Sequence, residues 1–97
     1  MKRDEALRII REHREELKSF GIESLALFGS VARDEAGPES DVDLLVKFDG
    51  RPIGIFAFLR LKRHLEEILG CPVDLVTQDA LKRQLKDQIL KEAVRAA

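Results

Sequence analysis

Three short apolar runs alternate with stretches whose apolar residues recur at helical spacing, and this alternation is the strongest constraint on what the 97-residue chain can fold into. Ala6, Ile10, His13, Leu17 and Phe20 follow one another at intervals of four and three, the period of an amphipathic helix, and Gly21 stands where a left-handed cap would end it. A first helix over about residues 3 to 19 is expected. Ser24 to Phe28 is short and apolar and ends at Gly29, which suits a buried strand. Gly37-Pro38 signals a turn, and Asp41 to Lys47 places Val42, Leu44 and Val46 on one face of a second strand. Residues 49 to 54 carry two Gly and Pro52 and read as a loop. A second long helix, marked by Ile55, Phe58, Leu59, Leu65 and Leu69, stops at Gly70 and Pro72. Val73 to Val76 is a third strand, and Thr77 and Asp79 offer caps for a last helix with Leu81, Leu85 and Ile89 as its stripe. Helices alternating with strands define an α/β class, a short sheet packed by helices, in a single domain over residues 1 to 97.

Composition removes several classes of function. Hydrophobic residues make up 44% of the chain, too many for a disordered segment, yet no uninterrupted apolar run is long enough for a membrane span. The Met-Lys-Arg-Asp-Glu start leads directly into a charged periodic segment, so no secretory signal and a cytoplasmic protein are expected. Cys71 is the one cysteine, which rules out an internal disulfide or a thiolate metal cluster. A net charge of −1 argues against a broad nucleic-acid footprint, and no segment carries a basic patch for a template strand.

The charge is unevenly distributed. Residues 24 to 50 hold two basic and six acidic side chains, a local charge of −4, while the other segments are neutral or positive. Within that stretch Gly29-Ser30 follows a strand and precedes Val31-Ala32-Arg33, a helical turn. Glycine lets backbone approach a ligand closely, and the N–H groups opening the turn attract an anion, so the pair reads as a phosphate seat or as a plain turn. Asp41 and Asp43 lie two apart on a strand, so both carboxylates project from one face, roughly 6–7 Å apart at the backbone. Two aspartates on one strand face repel unless a cation lies between them. Leu45 is next along that face, so the acids are expected at a rim, beyond which a helix covers the sheet. Asp74 interrupts the apolar third strand. If that strand neighbours the second, the three acids form one carboxylate site suited to hard cations such as Mg²⁺. A nucleoside triphosphate carrying two magnesium ions would then relieve the local excess of negative charge.

Gly29-Ser30, ten residues, and Asp41-Val-Asp43 together match the Gly-Ser-x10-Asp-x-Asp signature of the polymerase-β-like nucleotidyltransferase superfamily. The chain resembles the minimal nucleotidyltransferases that serve as antitoxins of HEPN/MNT, type VII, toxin–antitoxin pairs, from Leu25 to about Val94 and including Leu65 to Thr77. The resemblance implies a nucleotidyltransferase fold with a short mixed sheet. It implies magnesium on Asp41 and Asp43, Asp74 as the third acid, and Ser30 at the triphosphate of ATP. It further implies transfer of AMP to a tyrosine of a HEPN-domain toxin. The family commonly reads Gly-Ser-x-Ala-Arg-Gly, and Asp34 replaces the last Gly, which bears on the turn after Arg33 and its approach to a phosphate.

Other residues carry weaker expectations. Arg33 is a candidate contact to phosphate or base, or a structural partner of nearby carboxylates. Lys47 reads as a surface lysine, His13 as a core or interface histidine, His64 as a solvated helix residue and Cys71 as a small apolar one. Ile53, Ile55, Phe56, Phe58, Leu59 and Leu61 exceed what one helix face buries, which points to a toxin partner, a homodimer or a helix covered on two sides. Two alternatives to protein adenylylation follow: an antitoxin that only occludes its toxin, and transfer of a nucleotide to a small molecule.

Overall fold

The computed structural model describes residues 1–37, 41–50, 54–81 and 83–97. In chain order these form α1 (Arg3–Glu12), α2 (Arg14–Lys18), β1 (Ile22–Phe28), α3 (Gly29–Ala32), β2 (Val42–Phe48), α4 (Ile55–Leu69), β3 (Val73–Thr77), a 3-10 turn (Gln78–Ala80), α5 (Arg83–Glu92) and β4 (Val94–Arg95). The strands make one mixed sheet in the order β3-β2-β1-β4. β1 runs antiparallel to both neighbours, and β2 and β3 are parallel, joined across α4 as parallel strands require. The α/β class and the three strands read from the sequence are all present.

The core lies between the sheet and one layer of helices. Leu25 and Leu27 of β1 and Val42, Leu44 and Val46 of β2 alternate inward and are fully buried. Ala6, Leu7 and Ile10 of α1, Leu17 of α2, and Leu61, Leu65 and Leu69 of α4 close over them at helical spacing. Burying a leucine side chain in this layer contributes about 1.5–3 kcal/mol. α4 ends at Gly70, whose φ of +71° is the left-handed cap conformation that glycine adopts at no steric cost.

Three expectations need correction. The first helix is two helices, broken at His13, whose Nδ1 lies 2.8 Å from the carbonyl oxygen of Ile9, so the side chain competes for the helix's own acceptor. The last helix begins at Arg83, because Thr77 starts only a 3-10 turn and makes no side-chain cap there. Its expected stripe is only partly covered, with Leu85 half-exposed. β4 is an addition: two residues carry no readable period, and Val94 and Arg95 are extended because they pair with Leu27 and Ala26. Of the loop at 49 to 54, residues 51–53 lie outside the described residues, as does Pro38 of the expected turn.

Candidate active site

The parallel pairing of β2 and β3 decides the site. Asp43 and Asp74 are register partners on adjacent strands, and Phe28 opposes Asp43 from β1. The condition set on Asp74 is therefore met. Asp43, on the central β2, is half-buried, while Asp41, just before β2, and Asp74, on the outermost strand, are exposed. Beyond them Leu45 is buried, so the face closes one step further along, as expected for acids at a rim.

The charges are felt at Asp43. Burial, then the carboxylate of Asp74, then that of Asp41 push its pKa above the ordinary 3.8, and Arg33 opposes them. Among the described residues no three acidic, His or Cys side chains already stand as a cage for an ion. The arrangement is one of mutually repelling carboxylates around a half-buried member. A donor set made only of carboxylate oxygens fits a hard divalent ion such as Mg²⁺ and no soft metal.

Gly29 is built into this site. It ends β1 and opens α3 with φ +72°, and a Cβ placed on it would overlap the Asp43 carboxylate. Only glycine gives both the left-handed backbone and room for the acid. Ser30 follows in the first turn of α3, and its carbonyl accepts the Glu35 N–H at 2.8 Å, which folds the chain back after the helix. Asp34 occupies that reversal with φ 59°, a left-handed conformation that aspartate tolerates better than most residues. This accounts for a family glycine at the same place and for its replacement. Asp34 also accepts the Arg3 N–H at 3.2 Å, tying the start of α1 to the site.

Arg33 is engaged by carboxylates, donating to Glu35 at 3.1 Å and to Glu92 at 3.2 Å, so it links the end of α3 to α5. Lys47 is exposed and pairs with Glu23 at 3.4 Å. His13 is half-buried at the break between α1 and α2, and Cys71 packs against the core, burial raising its thiol pKa. His64 departs from its expectation: it is half-buried, with Nε2 3.1 Å from Glu16 and its ring 5.4 Å from that of Phe20, so it joins α4 to the α2 region. The Glu16–His64 link spans 48 residues, beyond any local pattern.

With this geometry in place, comparison with known proteins is decisive. The sequence profile of the Nucleotidyltransferase domain family matches residues 10–96. The chain belongs to that family. Protein adenylyltransferase MntA of Thermococcus cleftensis is 40% identical over 87 residues, covering 89% of this chain and 87% of that protein. A protein of Methanocaldococcus jannaschii assigned as a protein adenylyltransferase is 44% identical over 78 residues, covering 80% of this chain and 83% of that one. A solved structure assigned as a minimal nucleotidyltransferase superposes with a TM-score of 0.74 at 40% identity, over 97% of this chain and 95% of that one. The fold also recurs in a toxin–antitoxin crystal structure with AMP-PNP, at a TM-score of 0.72 and 21% identity, over 90% of this chain and 72% of that one. It recurs again in a tri-AMPylated HEPN toxin of Shewanella oneidensis in complex with its MNT antitoxin, at 0.67 and 19%, over 94% and 71%. The family expected from the Gly-Ser and Asp-x-Asp spacing is thus the family found.

Proposed function

We propose that this nucleotidyltransferase is the antitoxin of a HEPN/MNT pair and transfers AMP from ATP to a tyrosine hydroxyl of its HEPN toxin. The observation that carries the reading is the register of Asp43 against Asp74, with Gly29 held beside Asp43 by a backbone only glycine adopts there. Relatives at 40% and 44% identity bear adenylyltransferase names, and the fold is shared with an antitoxin whose toxin partner is AMPylated, which supports the same reaction and partner class.

In this mechanism Asp41 and Asp43 would hold two magnesium ions, with Asp74 as a further ligand to one of them. When bound, the metal would neutralise charge on the triphosphate and polarise the α-phosphate. Gly29 and Ser30 seat the triphosphate at the mouth of α3. Asp74, exposed on its strand, accepts the tyrosine proton. The phenolic oxygen forms a bond to the α-phosphorus, the bond from α-phosphorus to the bridging oxygen breaks, and pyrophosphate leaves with that electron pair. Arg33 is held by Glu35 and Glu92, so a phosphate contact from it requires exchange of a carboxylate partner.

The test is mass spectrometry of the toxin after incubation with this protein, ATP and Mg²⁺. An adenylyl mass on a toxin tyrosine is expected, and Asp43→Asn should abolish it. No mass gain with the wild type defeats the reading.

One observation favours a second reading, neutralisation by occlusion alone. Ile55, Phe56 and Leu59 at the start of α4 are exposed, Phe56 by 75%, and this apolar surface adjoins Arg60 and Arg63. If Asp41→Ala still neutralises the toxin at normal expression, coverage by this surface replaces chemistry as the explanation.

A further inference from the structure

α4 carries two apolar faces. Leu61, Leu65 and Leu69 recur every four residues and are buried against the sheet. Phe56 and Leu65 are nine residues apart, two and a half turns of helix, so they point in opposite directions. On that outer side Ile55, Phe56 and Leu59 are exposed, Ile55 by 65% and Leu59 by 48%. Three large apolar side chains at the start of one helix form a patch and not a scatter of single surface residues.

Phe56, Leu59, Arg60 and Arg63 enclose a concavity of about 230 Å³. That is below the size at which small-molecule sites begin, about 300 Å³, and suits one or two side chains of another protein. Among the described residues neither Arg60 nor Arg63 has a carboxylate partner, whereas Arg8 and Arg33 do. Residues 55 to 63 hold Arg60, Lys62 and Arg63 and no acid. An apolar recess rimmed by unpaired guanidinium groups is complementary to an apolar side chain flanked by carboxylates.

Charge also decides against two other occupants. A second copy seated face to face would bring Arg60 and Arg63 against their own counterparts, since a two-fold interface pairs a patch with itself. An anionic membrane would meet Glu67, exposed one turn beyond Arg63 on the same side of the helix. The patch is also remote from the acids. α4 ends beside the start of β2, where the Val42 N–H donates to Pro72 at 3.1 Å, and Ile55 begins the helix about 20 Å earlier along its axis.

We propose that this patch docks the toxin, through an apolar side chain flanked by Asp or Glu that enters the recess between Arg60 and Arg63. The inference rests on the proposed function for the identity of the partner, and adds where and by what chemistry that partner is held. Because the patch is separate from the carboxylate site, holding the toxin and modifying it can be separated by mutation.

The test is calorimetric titration of the toxin with this protein in EDTA, without nucleotide, at two salt concentrations. The expected result is saturable binding that weakens at the higher salt, persists in Asp43→Asn and is unchanged in the control Arg8→Gln. Binding should weaken about tenfold or more in Phe56→Ser and in the double variant Arg60→Gln/Arg63→Gln, and the double variant should lose most of the salt dependence. The replaced side chains are exposed, so both variants should melt with the wild type, which separates lost docking from lost folding. Absence of toxin binding by the wild type overturns the inference. Equal binding by the wild type and both patch variants also overturns it, and adenylyl transfer seen alongside that result leaves the proposed reaction standing. Docking lost in the patch variants, with no transfer by the wild type, supports the inference and defeats the reaction. A dimer of this chain alone that Phe56→Ser dissociates overturns the inference in favour of a second copy. Phosphatidylserine vesicles that bind through Arg60 and Arg63 overturn it in favour of a membrane surface.

Discussion

Gly29 and Gly70 offer a direct measurement of how tightly the candidate site is built. Their φ angles are +72° and +71°, so replacing either with alanine imposes the same backbone penalty, about 1–2 kcal/mol, offset by about 0.4–1 kcal/mol from a stiffer unfolded chain. Their surroundings differ. A Cβ at Gly70 meets nothing within 4 Å, whereas one at Gly29 overlaps the Asp43 carboxylate. Moving that carboxylate off its rotamer adds about 0.5–1.5 kcal/mol. Gly70→Ala is therefore expected to cost roughly 0–1.5 kcal/mol and Gly29→Ala roughly 0.5–3 kcal/mol. For a domain of this size 1 kcal/mol moves Tm by about 4–8 °C, so calorimetry in EDTA resolves the difference. The excess at Gly29 should vanish in the Asp43→Ala background, the coupling a double-mutant cycle isolates. Adenylyl transfer should fall about 100-fold in Gly29→Ala, since displacing a reactive carboxylate by about 1 Å costs that much. Equal Tm losses at the two glycines, together with no coupling to Asp43, would refute the placement of Gly29 against that carboxylate.

Three further outcomes follow from the same geometry. Because the folded-state pKa of Asp43 is raised, the metal-free protein holds that proton more tightly folded than unfolded, so its stability falls as pH climbs from about 3.8 through the folded-state pKa. In EDTA at pH 7, Asp43→Asn should therefore melt higher than wild type, the gap closing below pH 3.8; a variant that melts lower contradicts the repulsion. Magnesium at a hundred times its dissociation constant should stabilise the wild type by about 2.7 kcal/mol and leave Asp43→Asn unmoved, read as a Tm shift on adding and chelating the ion. Leu27→Ala and Leu44→Ala, both removing fully buried side chains between sheet and helices, should each cost about 2.7–5 kcal/mol in urea unfolding. A cost below 1 kcal/mol would mean that this face of the sheet is not the core.

What the residues alone disclosed was local. Helices and strands are periods of 3.6 and 2, visible within a few positions, so the helical stripe of Ala6 to Leu17, though not its break at His13, and the elements at Ser24 to Phe28 and Ile55 to Leu69 could be read directly. The acids of Asp41-Val-Asp43 share a strand face by spacing alone, and Gly29-Ser30 with that pair named the family. Tertiary structure decided the rest, because pairing across a sheet and packing between helices join residues far apart in the chain. Asp74 came beside Asp43 only because β3 lies parallel to β2 and in register with it. β4 exists only because β1 had a free edge for Val94 and Arg95 to pair with. His64 found Glu16 across α4 and α2. Arg11 of α1, Arg14 and Lys18 of α2 and Arg95 of β4 come near one another only in the fold, each an ordinary charge on its own helix or strand.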